Sequence, residues 1–222
     1  GLNNKFNGGD INRWLKGNNF DNRTSTLHPK FIPLWVILKL TKVTNVSIEE
    51  LQTNIRSYRS SGSGEIIYNP KLPLKITPEF ESIIFHIFGD GAACDKSTPS
   101  YFQKNPIGYK NFISKIKNCF GDFAINTNDR FKIRFPKAIT DILTYFYDIK
   151  SYHSDKIRIP FRIYKTDKLN KLACITAYIV DEGHIRDIVT VYSMNKEFFI
   201  DLKKLIESCG YLCGRVKPYK SS

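Results

Sequence analysis

The sequence predicts an α+β protein in which a small helical module precedes a helix–hairpin–helix unit that is used twice. Three observations carry that expectation. Two mostly apolar helical segments each end in an acid followed by a glycine, at Asp90-Gly91 and at Asp181-Glu182-Gly183. An asparagine follows 15 residues after Asp90 (Asn105) and 13 residues after Glu182 (Asn195), and each opens a second helix that stops at Gly121 or Gly210. Between acid and asparagine lie intervals long enough for a two-stranded hairpin, the second of them (residues 184–192, HIRDIVTVY) rich in β-formers. The recurrence of the whole order marks an internal duplication.

Composition narrows the partners. The 222 residues carry 34 Lys and Arg against 21 Asp and Glu, a formal charge of +13. An acidic partner is implied, and nucleic acid is the commonest one. Hydrophobic residues at 41% and aromatics at 14% can fill a core and argue against wholesale disorder. The most apolar run, residues 31–40, is broken by Pro33 and Lys39 and is too short to cross a bilayer. No secretory pattern opens the chain. The five cysteines (Cys94, Cys119, Cys174, Cys209, Cys213) form no CxxC pair, which favours free thiols in a reducing compartment over a disulfide frame or zinc site. A cytoplasmic protein with no membrane partner is therefore expected.

Taken in order, residues 10–17 suit a short helix with Trp14 and Leu15 inward and Gly17 as its stop. Pro33 can open a second, with Trp35, Leu38 and Val43 as its apolar stripe. Residues 47–50 (SIEE) form a capping box for a third, which carries Ile48, Leu51 and Ile55. A flexible connector (SSGSG, residues 60–64) closes this module, so its expected extent is 1–64.

The first copy is assigned to residues 65–150. Thr77 can cap its first helix, Pro78 suits the first helical position, and Glu79 and Glu81 suit the positive end of the dipole. Residues 80–88 are apolar on nearly all sides apart from Glu81, Ser82 and His86, which predicts burial on more than one face. Asp90 then meets the negative end of that dipole. Alone it reads as a solvated acid in an Asp-Gly turn, but the parallel placing of Glu182 makes both candidates. Residues 130–135 (RFKIRF) alternate strictly, with Phe131, Ile133 and Phe135 inward and Arg130, Lys132 and Arg134 on a cationic outer face. Ile139, Ile142, Leu143 and Phe146 build a closing helix, so one copy reads αββαββα.

The second copy, residues 151–222, repeats the helix, hairpin and helix, and residues 211–219 could add one strand. No counterpart of the last strand and closing helix follows, so this copy reads as C-terminally short. Charge is uneven along the chain: residues 104–137 hold eight basic side chains and two acids, a local balance of +6.

Residues 83–91 (IIFHIFGDG) and 175–183 (ITAYIVDEG) resemble the signature of the LAGLIDADG homing endonucleases, in the single-chain form with two fused copies. Residues 72–79 (LPLKITPE), 134–137 (RFPK) and, more weakly, 193–196 (SMNK) add to the resemblance, which covers roughly residues 72–214. It implies a pseudo-twofold monomer whose two signature helices pack side by side. Each delivers its last acid to the floor of an antiparallel saddle that binds double-stranded DNA. Asp90 and Glu182 would then be the catalytic and metal-holding pair, and hard oxygen donors beside a phosphate suit Mg²⁺ or another divalent cation. Arg130, Lys132 and Arg134, with Gln103 and Lys104, would line the first half of the saddle, and His184 and Arg186 the second. For any one of these basic residues, a solvated surface role is an equal alternative.

Gly89 and Ala177 supply small residues for tight helix pairing, whereas Phe85 and Asp181 do not. His86 reads as a satisfied core or rim residue rather than a ligand. The expected activity is site-specific cleavage of double-stranded DNA, and the alternative is a non-cleaving, sequence-specific DNA-binding regulator on the same scaffold. Residues 11–17 (INRWLKG) and 32–35 (IPLW) also look like part of a helix-turn-helix domain, with a simple helical cap as an equal alternative.

Overall fold

The computed structural model describes residues 34–60, 65–93, 97–125 and 131–217, and the chain is mixed α+β with small antiparallel sheets. The helix expected at residues 10–17, the connector at 61–64, Cys94 and Arg130 lie outside the described residues. The chain divides into two compact units, Gly1–Asn54 and Ile55–Ser222.

The first unit contains α1 (Leu34–Thr44) and α2 (Ile48–Asn54). Ser47 caps α2 by accepting a 3.0 Å bond from the Glu50 N–H, as the capping box predicts. The stripe expected on α1 does not form as drawn: Val36 is buried, whereas Val43 is 81% exposed. Leu38 and Val43 are five residues apart, and a helix of 3.6 residues per turn does not place such a pair on one face.

The second unit begins with a short hairpin of β1 (Ser57–Tyr58) and β2 (Ile67–Tyr68), followed by α3 (Pro78–Gly89). The Thr77 hydroxyl accepts from the Phe80 N–H at 3.2 Å, so the capping residue read from the sequence does close the N-terminus of α3. Every side chain of α3 from Phe80 through Phe88 is buried. Next come β3 (Gly91–Ala92), β4 (Ser100–Phe102), α4 (Pro106–Phe120), β5 (Lys132–Arg134) and α5 (Lys137–Tyr147). After the single turn α6 (Phe161–Tyr164) come α7 (Lys168–Glu182), β6 (Gly183–Ile185), β7 (Val189–Val191) and α8 (Lys196–Ser208). The order helix, hairpin, helix thus occurs twice, over α3–α4 and α7–α8.

Two expectations need correction. Among the described residues the first copy runs αββαβα, one strand fewer than αββαββα. The backbone after α4 pairs elsewhere: Asp122 and Tyr68 exchange two hydrogen bonds of 2.7 and 2.8 Å, which commits it to β2. Residues 211–217 also form no strand. Leu212 is fully exposed there, and Lys203 Nζ holds the Gly214 carbonyl at 3.2 Å.

The core is built around α3. Its most extensive contact is with α7, followed by α4. On the α4 side Tyr101 stacks on Phe112 at 3.9 Å between centroids, Phe112 meets Phe135 edge-on at 5.7 Å, and Phe80 meets Phe120 at 5.2 Å. On the α8 side Phe88 meets Phe198 at 5.9 Å, and Phe198 meets Tyr178 at 4.8 Å. One core therefore spans both copies, and truncating a ring such as Phe88 would cost about 3–5 kcal/mol. Cys119, Cys174, Cys209 and Cys213 are free thiols. Among the described residues no helix is long and apolar enough to cross a membrane.

Candidate functional site

The C-terminal ends of α3 and α7 are in contact. A Cβ added to Gly89 would lie 2.9 Å from Asp181 Cβ and 3.5 Å from Glu182 Cγ, so only glycine permits this approach. The glycine after each acid has its own reason. A Cβ on Gly91 would lie 2.4 Å from the Ile87 Cα, and one on Gly183 would lie 2.4 Å from the Ile179 carbonyl oxygen. At each end the chain folds back against the last turn of its own helix, and the acid sits where it turns. Asp90 is the C-cap residue of α3, and Glu182 is the last residue of α7.

Three carboxyls therefore gather at two negative helix termini. The Asp90 carboxyl is pushed up to about 7, first by burial and then by the neighbouring Asp181 and Glu182 charges. Glu182 is raised by burial and by Asp181. Among the described residues, neither Asp90 nor Glu182 has an ion-pair partner that would offset this repulsion.

Asp181 is different. Its side chain is fully buried, and both oxygens are engaged: Oδ2 lies 2.8 Å from His86 Nδ1, and Oδ1 accepts from the Tyr101 hydroxyl at 2.6 Å. Lys115 Nζ lies 2.9 Å from His86 Nε2. An ammonium can only donate, so with Lys115 charged, Nε2 accepts and Nδ1 carries the hydrogen given to Asp181. Burial lowers the Lys115 pKa, while the Asp181 charge opposes that shift. Gln103 Nε2 donates to the Tyr101 oxygen at 3.3 Å and completes the chain. A polar clamp across α3, α4, β4 and α7 thus occupies a place where small residues would pack two helices together. His86 is satisfied on both ring nitrogens.

The candidate DNA-facing residues divide by register. In the three-stranded sheet Tyr101 pairs with Ile133, and both are buried; Phe102 pairs with Lys132 and Ser100 with Arg134 on the opposite face. Arg134 and Lys104 are exposed, and Lys132 is half-buried. Gln103 turns its amide inward to Tyr101 and to the Asn105 N–H, which it accepts at 3.0 Å. In the β6–β7 hairpin His184 pairs with Thr190, and Arg186 Nε donates to His184 Nε2 at 2.7 Å, so these two exposed residues act as one unit.

Sequence reasoning singled out Asp90 and Glu182 but missed Lys115 and Tyr101. Neither carries a local signal, because each reaches Asp181 only through tertiary packing. Asp181 was visible only as a departure from small-residue packing. Among the described residues, no group of three or more His, Cys, Asp or Glu side chains is arranged to hold a metal ion. No family model and no curated protein matches the chain.

Proposed function

We propose that the chain is a metal-dependent, site-specific double-strand DNA endonuclease of the LAGLIDADG homing type, acting as a monomer with internal pseudo-twofold symmetry. The observation that carries this reading is that Asp90 and Glu182 stand at the ends of two packed helices, where burial and then the Asp181 and Glu182 charges hold the Asp90 carboxyl near 7. Acids in that position destabilise a fold unless a cation or proton joins them.

The donor set fits a magnesium ion. Mg²⁺ binds through one or two carboxylates, keeps several waters and takes its remaining oxygens from substrate phosphate, so a three-residue protein cage is not required. Asp90 and Glu182 would hold it, and when bound it supplies charge neutralisation at the scissile phosphate and a more acidic water. The chain's own side chains do the rest. Lys132 and Arg134 on one sheet with Lys104 just beyond it, and the His184–Arg186 pair at the other hairpin, attract and position the phosphates. The bonds from His86 and Tyr101 fix Asp181, and through it the end of α7 that bears Glu182.

The test is selection of cleaved duplexes from a randomised pool in the presence of Mg²⁺. Loss of cutting in Asp90→Asn and Glu182→Gln, with binding retained, is the expected result. Selective binding without cleavage under any divalent metal would sink the enzyme reading and leave a non-cleaving DNA-binding regulator. Binding of duplex DNA no tighter than about micromolar at 0.15 M salt would overturn the nucleic-acid reading altogether.

A further inference from the structure

The internal duplication aligns two exposed aromatic residues. In the first hairpin Gly91 pairs with Tyr101, and in the second Gly183 pairs with Val191. The residue after each partner is Phe102 in one copy and Tyr192 in the other. Each stands three residues before the asparagine that caps the next helix, Asn105 or Asn195. Both rings face outward, Phe102 at 42% and Tyr192 at 53% exposure. Phe102 ends β4, and Tyr192 lies one residue beyond β7.

Solubility does not explain large rings at matched outward positions on a strongly basic protein. Their surroundings point to one kind of occupant. Lys132 lies directly opposite Phe102, and Arg134 lies on the same face two residues along. Phe131 meets the Phe102 ring edge-on at 6.2 Å, a contact that leaves Phe102 partly exposed. In the second copy the adjoining register pair on the same face is His184 and Thr190, and His184 is bonded in turn by Arg186 Nε. Cations flanking an apolar ring suit a surface whose rim is phosphate and whose floor offers an apolar group. The major groove of duplex DNA admits a β-ribbon, and the thymine 5-methyl is the apolar group displayed there.

Building on the proposed DNA-binding role, we infer that Phe102 and Tyr192 are a matched pair of specificity-determining residues, one per copy, that read thymine 5-methyl groups in the two halves of the target. The basic residues set how tightly any duplex is held, and the rings select where the protein stops.

The test uses the full chain and duplexes selected by binding from a randomised pool, without added divalent metal. Each thymine of a selected duplex is replaced in turn by deoxyuridine, which removes only the methyl. Wild type should lose about four-fold in affinity at one position in each half, the loss expected for one buried methyl group. Phe102→Ala should abolish that sensitivity in one half and Tyr192→Ala in the other, while Phe102→Leu, still apolar, keeps it. The alanine variants should bind the corresponding uracil duplex as well as wild type does, which a misfolded protein would not. If no thymine position responds to methyl removal, or if the response survives both alanine variants, the inference is overturned while the DNA-binding reading stands. If the pool yields no selective duplex, the DNA-binding reading fails and takes this inference with it.

Discussion

Replacing Gly89 by alanine tests the helix contact on which the site depends. The added Cβ would sit 2.9 Å from Asp181 Cβ, 3.3 Å from its Oδ2 and 3.5 Å from Glu182 Cγ. Ordinary carbon–carbon contact is about 3.5–4.0 Å, so the nearest neighbour must retreat by roughly 0.6 Å or more. Asp181 cannot swing aside, because His86 and Tyr101 hold its two oxygens at 2.8 and 2.6 Å. Either the ends of α3 and α7 part, or a buried hydrogen bond breaks. Overpacking costs about 1–3 kcal/mol, and a buried polar group left without its partner costs about as much again. We therefore expect Gly89→Ala to lose about 2–4 kcal/mol, a fall in Tm on the order of 5–15 °C for a chain of this size. Gly214→Ala is the control, since a Cβ there meets nothing within 4 Å, and its change should stay within about 0.5 kcal/mol. Urea and thermal unfolding of the three proteins read the difference. Equal stability of Gly89→Ala and Gly214→Ala would refute the close approach and the clamp that makes it rigid.

Two further perturbations probe neighbouring features. Asp90 holds its proton more tightly in the folded chain, near 7, than in the unfolded one, near 4, so ionising it destabilises the fold as pH rises through that window. Asp90→Asn should match wild type near pH 4 and exceed it by about 1–2 kcal/mol at pH 8, a figure discounted for a half-exposed carboxyl; a difference flat with pH would refute the carboxyl cluster. Asn195 accepts from the Phe198 N–H at 3.0 Å and donates to the Ile157 and Ser154 carbonyls at 2.9 and 3.2 Å. Asn195→Ala should therefore cost about 2–4 kcal/mol in urea unfolding, against about 1 for Asn105→Ala, whose exposed cap accepts from Ile107 N–H. Equal losses would show that the buried carbonyl bonds contribute nothing.

What the sequence made legible was local. The Thr77 cap, the all-round burial of α3, the paired asparagine caps and the acid–glycine endings each depend on a few adjacent residues, and each formed. Tertiary packing accounts for the rest. Tyr101 reaches Asp181 from 80 positions away in the chain, Lys115 reaches it through His86 from 66 positions away, and no periodicity links them. Phe85 looked too large for a helix interface, yet it is fully buried beside Phe88 at 5.9 Å between centroids. Alternation over residues 130–135 promised six strand residues, whereas β4 supplies only three partners. Hydrogen bonds from Gln103 N–H to the Phe131 carbonyl (2.9 Å) and from Phe135 N–H to the Pro99 carbonyl (3.1 Å) close the two ends of that ladder. Residues 211–217 show the converse: among the described residues no strand pairs with them, and they stay irregular.

The contact between α3 and α7 joins segments about ninety residues apart in sequence. Each helix can coil locally within microseconds, but bringing them together closes a long loop, and that entropy is lost before the contact repays it. The three carboxyls therefore come together only once that loop has closed. A nascent or half-unfolded chain presents its cationic side chains but not its acid cluster.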